Sequence, residues 1–145
     1  MDATARAIQG RGKRMKKLFV SVPMNGRSRD EIKASIAKMK AIAEIYEGEE
    51  LELIDSLLTI PDGVKNTPVW CLGKSLEKLS EADVFIGIAE GYDWNGCHIE
   101  DEVASIYGIK RYRVHAADVV DNYNALMRKR REACIPVCEK EKLIV

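Results

Sequence analysis

The sequence predicts an α/β protein, and two observations lead to this fold class. Short apolar runs alternate along the chain with segments of helical periodicity, a pattern typical of parallel strands joined by right-handed crossovers. The runs at 17–22 and 83–89 are almost continuously apolar, as expected of strands buried on both faces of a sheet. We therefore expect a three-layer α/β/α sandwich around a mainly parallel, Rossmann- or flavodoxin-like sheet of four or five strands.

The composition limits the classes of protein to consider. The 145 residues fit one domain, and the 23 basic residues balance the 23 acidic ones, which disfavours a dedicated nucleic-acid binder. No apolar run approaches the roughly 18 residues of a membrane helix. The four cysteines do not form a disulfide scaffold. We expect a cytoplasmic protein that binds neither nucleic acid nor membrane.

The first fourteen residues differ from the remainder. They are basic, contain two glycines and show no apolar periodicity. We expect residues 1–14 to be a disordered basic extension or an expression leader, and residues 15–145 to form a single domain.

The first strand and helix are predicted by local signals. The run 17–22 is rich in β-branched and aromatic residues, which favours a strand. Ser28 precedes Glu31 by three residues, the spacing of a capping box. Apolar residues then recur at helical spacing, so residues 29–47 are predicted to form an amphipathic helix that ends at Gly48.

The middle of the chain repeats this order. Residues 50–55 are predicted to form a second strand, and the prolines and glycine within 56–68 indicate a loop. Apolar spacing from Val69 predicts a helix to about Ser80. The run 83–89 is the strongest strand signal in the chain.

The last third is predicted to hold two more helices around a strand. A third helix ends at Gly108, and the alternating pattern of 111–116 predicts an edge strand. Asp118 is expected to cap a single last helix. The cations of 128–131 are expected to stabilise its carboxyl end, an interpretation favoured over a phosphate site. The residues that follow are expected to add a short strand or to dock on a partner chain.

The predicted topology also places a ligand site. In such sheets, ligands bind beyond the carboxyl ends of the strands, where the strand order reverses. The loops that reach this edge are 23–27 and 90–100, together with the end of the second strand. The candidate substrate-binding residues are Ser21, Pro23, Met24, Asn25, Gly26, Asp55, Asp93, Trp94, Asn95 and Gly96.

Glu100 is the candidate catalytic residue of this site. It is expected in the first turn of the third helix, where the helix dipole keeps a carboxylate ionised. The pattern alone is more typical of an acid that only stabilises the helix. Trp94, however, offers an aromatic face on which a base can stack, and the expected position is the mouth of the crevice. We therefore expect the Glu100 side chain to project into an open cavity.

Two motifs resemble those of a known family. The early one is LFVSVPMNG, residues 18–26, and the late one places Gly96, Glu100, Ala104 and Gly108 at intervals of four. Over about residues 16–115 the chain resembles the nucleoside 2-deoxyribosyltransferase-like superfamily, nearest to its small phage- and prophage-associated branch. The resemblance implies that Glu100 attacks the anomeric carbon of a 2-deoxyribosyl nucleoside or nucleotide.

The same resemblance implies further properties. It implies no cofactor and a small-molecule nucleoside or nucleotide as ligand. It also implies a homodimer or larger assembly, with the second or third helix and the C-terminal tail at the interface. Transfer to a second base and hydrolysis both remain open.

Three positions depart from the family and keep a second function open. Phe19 stands where the family commonly has a tyrosine that holds the catalytic acid, and Ser75 stands where many members have an aspartate that assists the departing base. Trp94 replaces an aspartate or serine that contacts sugar or phosphate. Asp83 is a candidate substitute acid, although a polar residue that opens a strand is its simpler interpretation. The alternative is a non-catalytic domain that binds a nucleotide or another small molecule.

Other chemistries have weaker support. Cys97 and His98 lie next to each other, but no ligand spacing around them predicts a metal. Pro136 separates Cys134 from Cys138. Cys97 as a nucleophile would require a base partner and a lowered pKa. No phosphate-binding loop of the common kinds follows the first strand.

Overall fold

A computed structural model describes residues 7–8, 11–12 and 14–132 of the chain. Within the predicted extension, β1 (Ala7–Ile8) pairs antiparallel with β2 (Arg11–Gly12), and the rest of 1–13 lies outside the described residues. The C-terminal tail from residue 133 onwards, with Cys134 and Cys138, also lies outside them. The proposals for that tail are therefore not addressed by the structure.

The main sheet confirms the predicted fold class. Its four strands are β3 (Lys17–Val20), β4 (Glu52–Leu53), β5 (Val84–Ile88) and β6 (Lys110–Val114). All are parallel, in the order β4-β3-β5-β6. The alternating pattern of β6 predicted an edge strand, and β6 lies at the edge.

The helices follow the predicted order. They are α1 (Arg29–Glu47), α2 (Thr67–Leu79), α3 (Asn95–Ile106), α4 (Ala116–Val119) and α5, which is helical over residues 123–132. The capping box is confirmed, since the Ser28 hydroxyl accepts from the Glu31 N–H and the Glu31 carboxylate accepts from the Ser28 N–H. Gly48 ends α1 in the left-handed conformation, as predicted. None of the described helices is long and apolar enough to cross a membrane.

The prediction of a single last helix is wrong. Asp118 lies inside the short α4, whose N-cap is His115, and the helix stops at Val120, which is extended. Asn122 then adopts a left-handed conformation (φ 56°), and α5 begins at the next residue. The break lets apolar residues of both helices pack on the same core.

Two cores of unequal size lie on the two faces of the sheet. The larger core packs α1, α4 and α5 on one face, and α1 contributes four buried apolar residues to it. The smaller one holds Phe19, Leu79, Phe85 and Ala104 beneath α2 and α3. Leu79 is the only buried residue of α2, so this helix buries little of its surface against the rest of the domain.

Candidate functional site

The strand order places the candidate site between β3 and β5. The chain leaves β3 toward β4 on one side and later adds β5 and β6 on the other, so connections diverge between β3 and β5. This is the topological switch point, where a crevice opens at the carboxyl ends of the strands. The loops that flank it are residues 21–28 and 89–94.

Glu100 reaches this edge from α3 and is enclosed there. The residue is 8% exposed, and its Oε1 accepts a hydrogen bond of 2.6 Å from the Ser21 hydroxyl. Ser75 of α2 faces the same carboxyl, and the buried Cys97 lies one turn earlier on α3. We call Ser21, Ser75, Cys97 and Glu100 the Glu100 cluster. Glu100 lies at the predicted edge, but it does not project into an open cavity as expected.

The cluster depends on a small residue in the neighbouring strand. A Cβ atom at Gly87 would lie 2.9 Å from Cε1 of Phe85 and 3.7 Å from Cβ of Ser21. Because residue 87 has no Cβ atom, the Phe85 ring has room to pack over β5 beside Ser21. Phe85 in turn stacks on Phe19, with ring centroids 6.0 Å apart.

This packing explains the departure at Phe19. Phe19 occupies the core, and Ser21, two residues later on the same face of the chain, supplies the hydroxyl to Glu100. The hydroxyl that the family's tyrosine implied is thus present from a different position.

Burial dominates the electrostatics of Glu100. Removal of the carboxylate from water raises its pKa to about 7, although the hydroxyls of Ser21 and Ser75 lower it. The expectation that the helix dipole keeps Glu100 ionised is wrong in sign. Because α3 begins at Asn95, Glu100 lies in its second turn, beyond the reach of most of the dipole's effect.

Cys97 does not have the properties of a nucleophile. Burial raises the pKa of its thiol to about 12, with smaller opposing effects from Ser21 and Arg130. A neutral, enclosed thiol behaves as a small apolar side chain. Of the two buried ionisable residues of α3, Glu100 and not Cys97 is therefore the candidate nucleophile.

The loop after β3 is held by a residue that the sequence analysis did not single out. Arg27 donates from Nη1 to the carbonyl oxygen of Pro23 (2.9 Å) and from Nη2 to the hydroxyl of Ser35 (2.7 Å). Pro23 is buried, and the other predicted binding residues of the loop are exposed: Met24, Asn25 and Gly26. No sequence motif identifies Arg27, because the loop's conformation determines which carbonyl and hydroxyl oxygens its guanidinium reaches.

The loop after β5 differs from the prediction at Trp94. Asp93, Asn95 and Gly96 are exposed, but Trp94 is 5% exposed. The Arg130 guanidinium carbon of α5 lies 3.7 Å from its ring centroid. The prediction that Trp94 presents an open face for a base is therefore wrong, since the residue is buried and an arginine covers its ring.

Asp55 and Asp83, two further acids considered from the sequence, accept hydrogen bonds from backbone N–H groups. Asp55 is exposed, and its Oδ1 accepts from the N–H of Leu57, which closes a local turn. Asp83 precedes β5, and its Oδ2 accepts from the N–H of Lys17 at the start of β3. Asp83 thus lies at the amino edge of the parallel sheet, opposite the crevice. Its structural interpretation is confirmed, and it is not a substitute acid for Glu100.

The described residues contain no group of three histidines, cysteines or acids that could hold a metal ion. Comparison with protein-family models, curated proteins and solved structures finds no match. The resemblance of the two motifs to the deoxyribosyltransferase-like superfamily therefore stays a prediction.

Proposed function

We propose that this protein cleaves the N-glycosidic bond of a 2-deoxyribosyl nucleoside or nucleotide, with Glu100 as nucleophile. One observation carries the proposal: a carboxyl group is enclosed at the switch-point edge of the sheet, where Ser21 donates a 2.6 Å hydrogen bond to it. A buried carboxyl with a raised pKa is unfavourable for stability, and such groups cluster at functional sites.

The chemistry proceeds in two balanced steps. A carboxylate oxygen of Glu100 bonds to the anomeric carbon while the carbon–nitrogen bond breaks, and the electron pair leaves on the base, which takes up a proton. A second base or water then attacks the same carbon, loses its proton and displaces Glu100. The negative carboxylate stabilises the positive charge that develops on the sugar in both transition states.

Ser21 has a positioning role in this mechanism. Its hydroxyl donates to Oε1 and so fixes the orientation of the carboxyl group. Ser75, in contrast, is a poor proton donor to a departing base, because an alcohol is a far weaker acid than the carboxylic acid implied at that position by the resemblance. The base must therefore take its proton from water or leave as an anion.

Base release tests the proposal. The protein is incubated with deoxynucleosides and deoxynucleoside 5′-monophosphates, with and without an acceptor base, and free and exchanged bases are separated by chromatography. Glu100→Gln should lower release by at least about a hundredfold. The matched control is Glu81→Gln, an exposed acid that precedes β5 at the amino edge of the sheet, which should retain activity. Equal rates in wild type and Glu100→Gln would overturn the proposal.

The closed state of the cluster favours a second candidate, a domain that binds a nucleotide or another small molecule without turnover. Two described clefts are lined by other parts of the chain, one near His98 and Arg113 and one near Asn122 and Arg128. Ligand-induced thermal stabilisation of both wild type and Glu100→Gln, with no base released by either, would support this function instead.

We also propose that the α2–α3 face associates with a second copy of the chain. Exposed apolar side chains occur on both helices: Val69 near the start of α2, Ile106 at the end of α3 and the adjacent Tyr107. Exposed large apolar side chains are common in interfaces between protein chains. Light scattering should show a mass above that of the monomer, and Ile106→Lys should lower it. A wild-type monomer at all concentrations would refute the association.

A further inference from the structure

The basic run at 128–131 includes a residue that does more than complement a helix end. Arg130 turns from α5 onto the loop after β5, where its guanidinium stacks on Trp94. Its Nη2 also donates to the carbonyl oxygen of Asp93 (3.0 Å). One turn earlier on α5, Leu126 lies against Gly26 of the other crevice loop. The helix α5 thus spans the two loops that flank the switch point.

Two nitrogen atoms in this contact lack acceptors. Nε1 of Trp94 and Nη1 of Arg130 are both covered, and neither has a hydrogen-bond partner within the part of the chain that the structure describes. Native proteins satisfy nearly all buried donors, because each one left unpaired loses its hydrogen bonds to water. Two such donors on stacked groups indicate a binding site for a ligand that accepts hydrogen bonds.

The surroundings favour a negatively charged acceptor. The guanidinium carries a full positive charge, and no side-chain hydrogen bond caps the start of α3, which follows Trp94 directly. The contact also lies close to the Glu100 cluster, because Trp94 is the N-cap of α3 and the buried Cys97 of the cluster lies in the first turn of this helix. An anion held here would lie beside the proposed reaction centre.

We propose that Trp94 and Arg130 form a binding site for the phosphate group of a phosphate monoester. A phosphate monoester presents three terminal oxygens, so one group can accept from both the indole and the guanidinium. Hydrogen bonds from arginine to phosphate are charge-assisted and directional. Because binding needs no bond cleavage, this site can exist whether or not Glu100 is a nucleophile.

Access to the site requires a movement. Both nitrogen atoms are covered, so the phosphate reaches them only when the last described turn of α5 shifts relative to Trp94. That shift changes the environment of the indole ring. Trp94 fluorescence therefore reports on binding directly.

Fluorescence titration tests the site. The chain has two tryptophans, so Trp70→Phe leaves Trp94 as the only one. Inorganic phosphate and a deoxynucleoside 5′-monophosphate should each change its emission saturably. The unphosphorylated nucleoside and sodium chloride at equal ionic strength should not.

Variants of α5 separate a specific site from general positive charge. Arg130→Gln in the Trp70→Phe background should weaken phosphate binding at least tenfold. Arg131→Gln, which removes an equal charge from the neighbouring exposed position, should leave it within twofold. Calorimetry on the same proteins checks the affinities without relying on fluorescence, and circular dichroism checks that they are folded.

Several results would overturn the site. They are no saturable response to phosphate or the monophosphate, equal losses in the two arginine variants, or an equal response to the unphosphorylated nucleoside. Should Arg130→Gln fail to fold, Arg130→Lys replaces it and should still weaken binding, because an ammonium cannot reproduce the stacked, forked geometry. Phosphate binding by Glu100→Gln distinguishes this proposal from the fate of the proposed reaction.

Discussion

The stability of Glu100→Gln relative to wild type should increase as pH rises. Glutamine has nearly the same size as glutamate, and its carbonyl oxygen can keep the hydrogen bond from Ser21. It cannot ionise. The substitution therefore removes the titration of the buried carboxyl and little else.

The size of the effect follows from the pKa. Burial raises the pKa of Glu100 from 4.5 to about 7 in the folded protein. Between these values the folded state holds a proton that the unfolded state has released, so stability falls as pH rises. Each unit of pKa corresponds to roughly 1.4 kcal/mol, so the loss accumulates to about 3 kcal/mol above pH 7.

Urea denaturation between pH 4 and pH 8.5 measures this difference. The unfolding free energy of wild type minus that of Glu100→Gln should decrease by about 3 kcal/mol across the range, with most of the change between pH 4.5 and 7. The subtraction cancels groups that titrate alike in both proteins.

A flat difference would refute the reasoning, since it would mean that the Glu100 carboxyl ionises as easily in the folded protein as in the unfolded one. A difference of the opposite sign would mean that a positive charge pairs with the carboxylate. Either result would also remove the argument that Glu100 is held in an unfavourable environment.

Three further predictions concern single positions. Gly87→Ala should lower the unfolding free energy by about 1–3 kcal/mol in chemical denaturation, because its Cβ would meet the Phe85 ring. Glu47→Gln should cost about 1–2 kcal/mol near pH 7, and the cost should disappear as pH falls from 4.5 to about 2, because ion pairs and the Tyr112 hydroxyl lower the pKa of Glu47 to about 2; a cost independent of pH would contradict this. Ser21→Ala should raise the pKa of Glu100 further in an NMR titration, because a hydrogen bond to the ionised form is lost.

Local signals predicted most of the fold. The helix 29–47 matches its predicted bounds, because the capping box, the apolar spacing and the terminal glycine all act between residues a few positions apart. The alternation of strand-like and helical segments, which is also read from near neighbours in the sequence, predicted the parallel sheet. The prediction of a single last helix was wrong, because the break at Val120 and Asn122 depends on how two helical segments pack on one core.

Two members of the Glu100 cluster were singled out from the sequence, but their environment was not predicted. Glu100 and Ser21 were both singled out, yet the hydrogen bond between them joins positions 79 apart in the chain. The dipole argument gave the wrong sign for the pKa of Glu100, because it considered the helix alone and not the desolvation caused by packing. Similarly, no local signal indicated that Arg130 would cover Trp94.

By itself, the sequence determined the order of strands and helices and the edge of the sheet at which Glu100 lies, because periodicity and capping depend on near neighbours. Only the tertiary structure decided that Glu100 is enclosed, that Ser21 holds it, that Asp83 lies at the far edge and that α5 spans the crevice loops. These outcomes depend on contacts between distant segments of the chain. Burial shifts the pKa of an ionisable group, and the residues next to it in the sequence do not reveal how far it is buried.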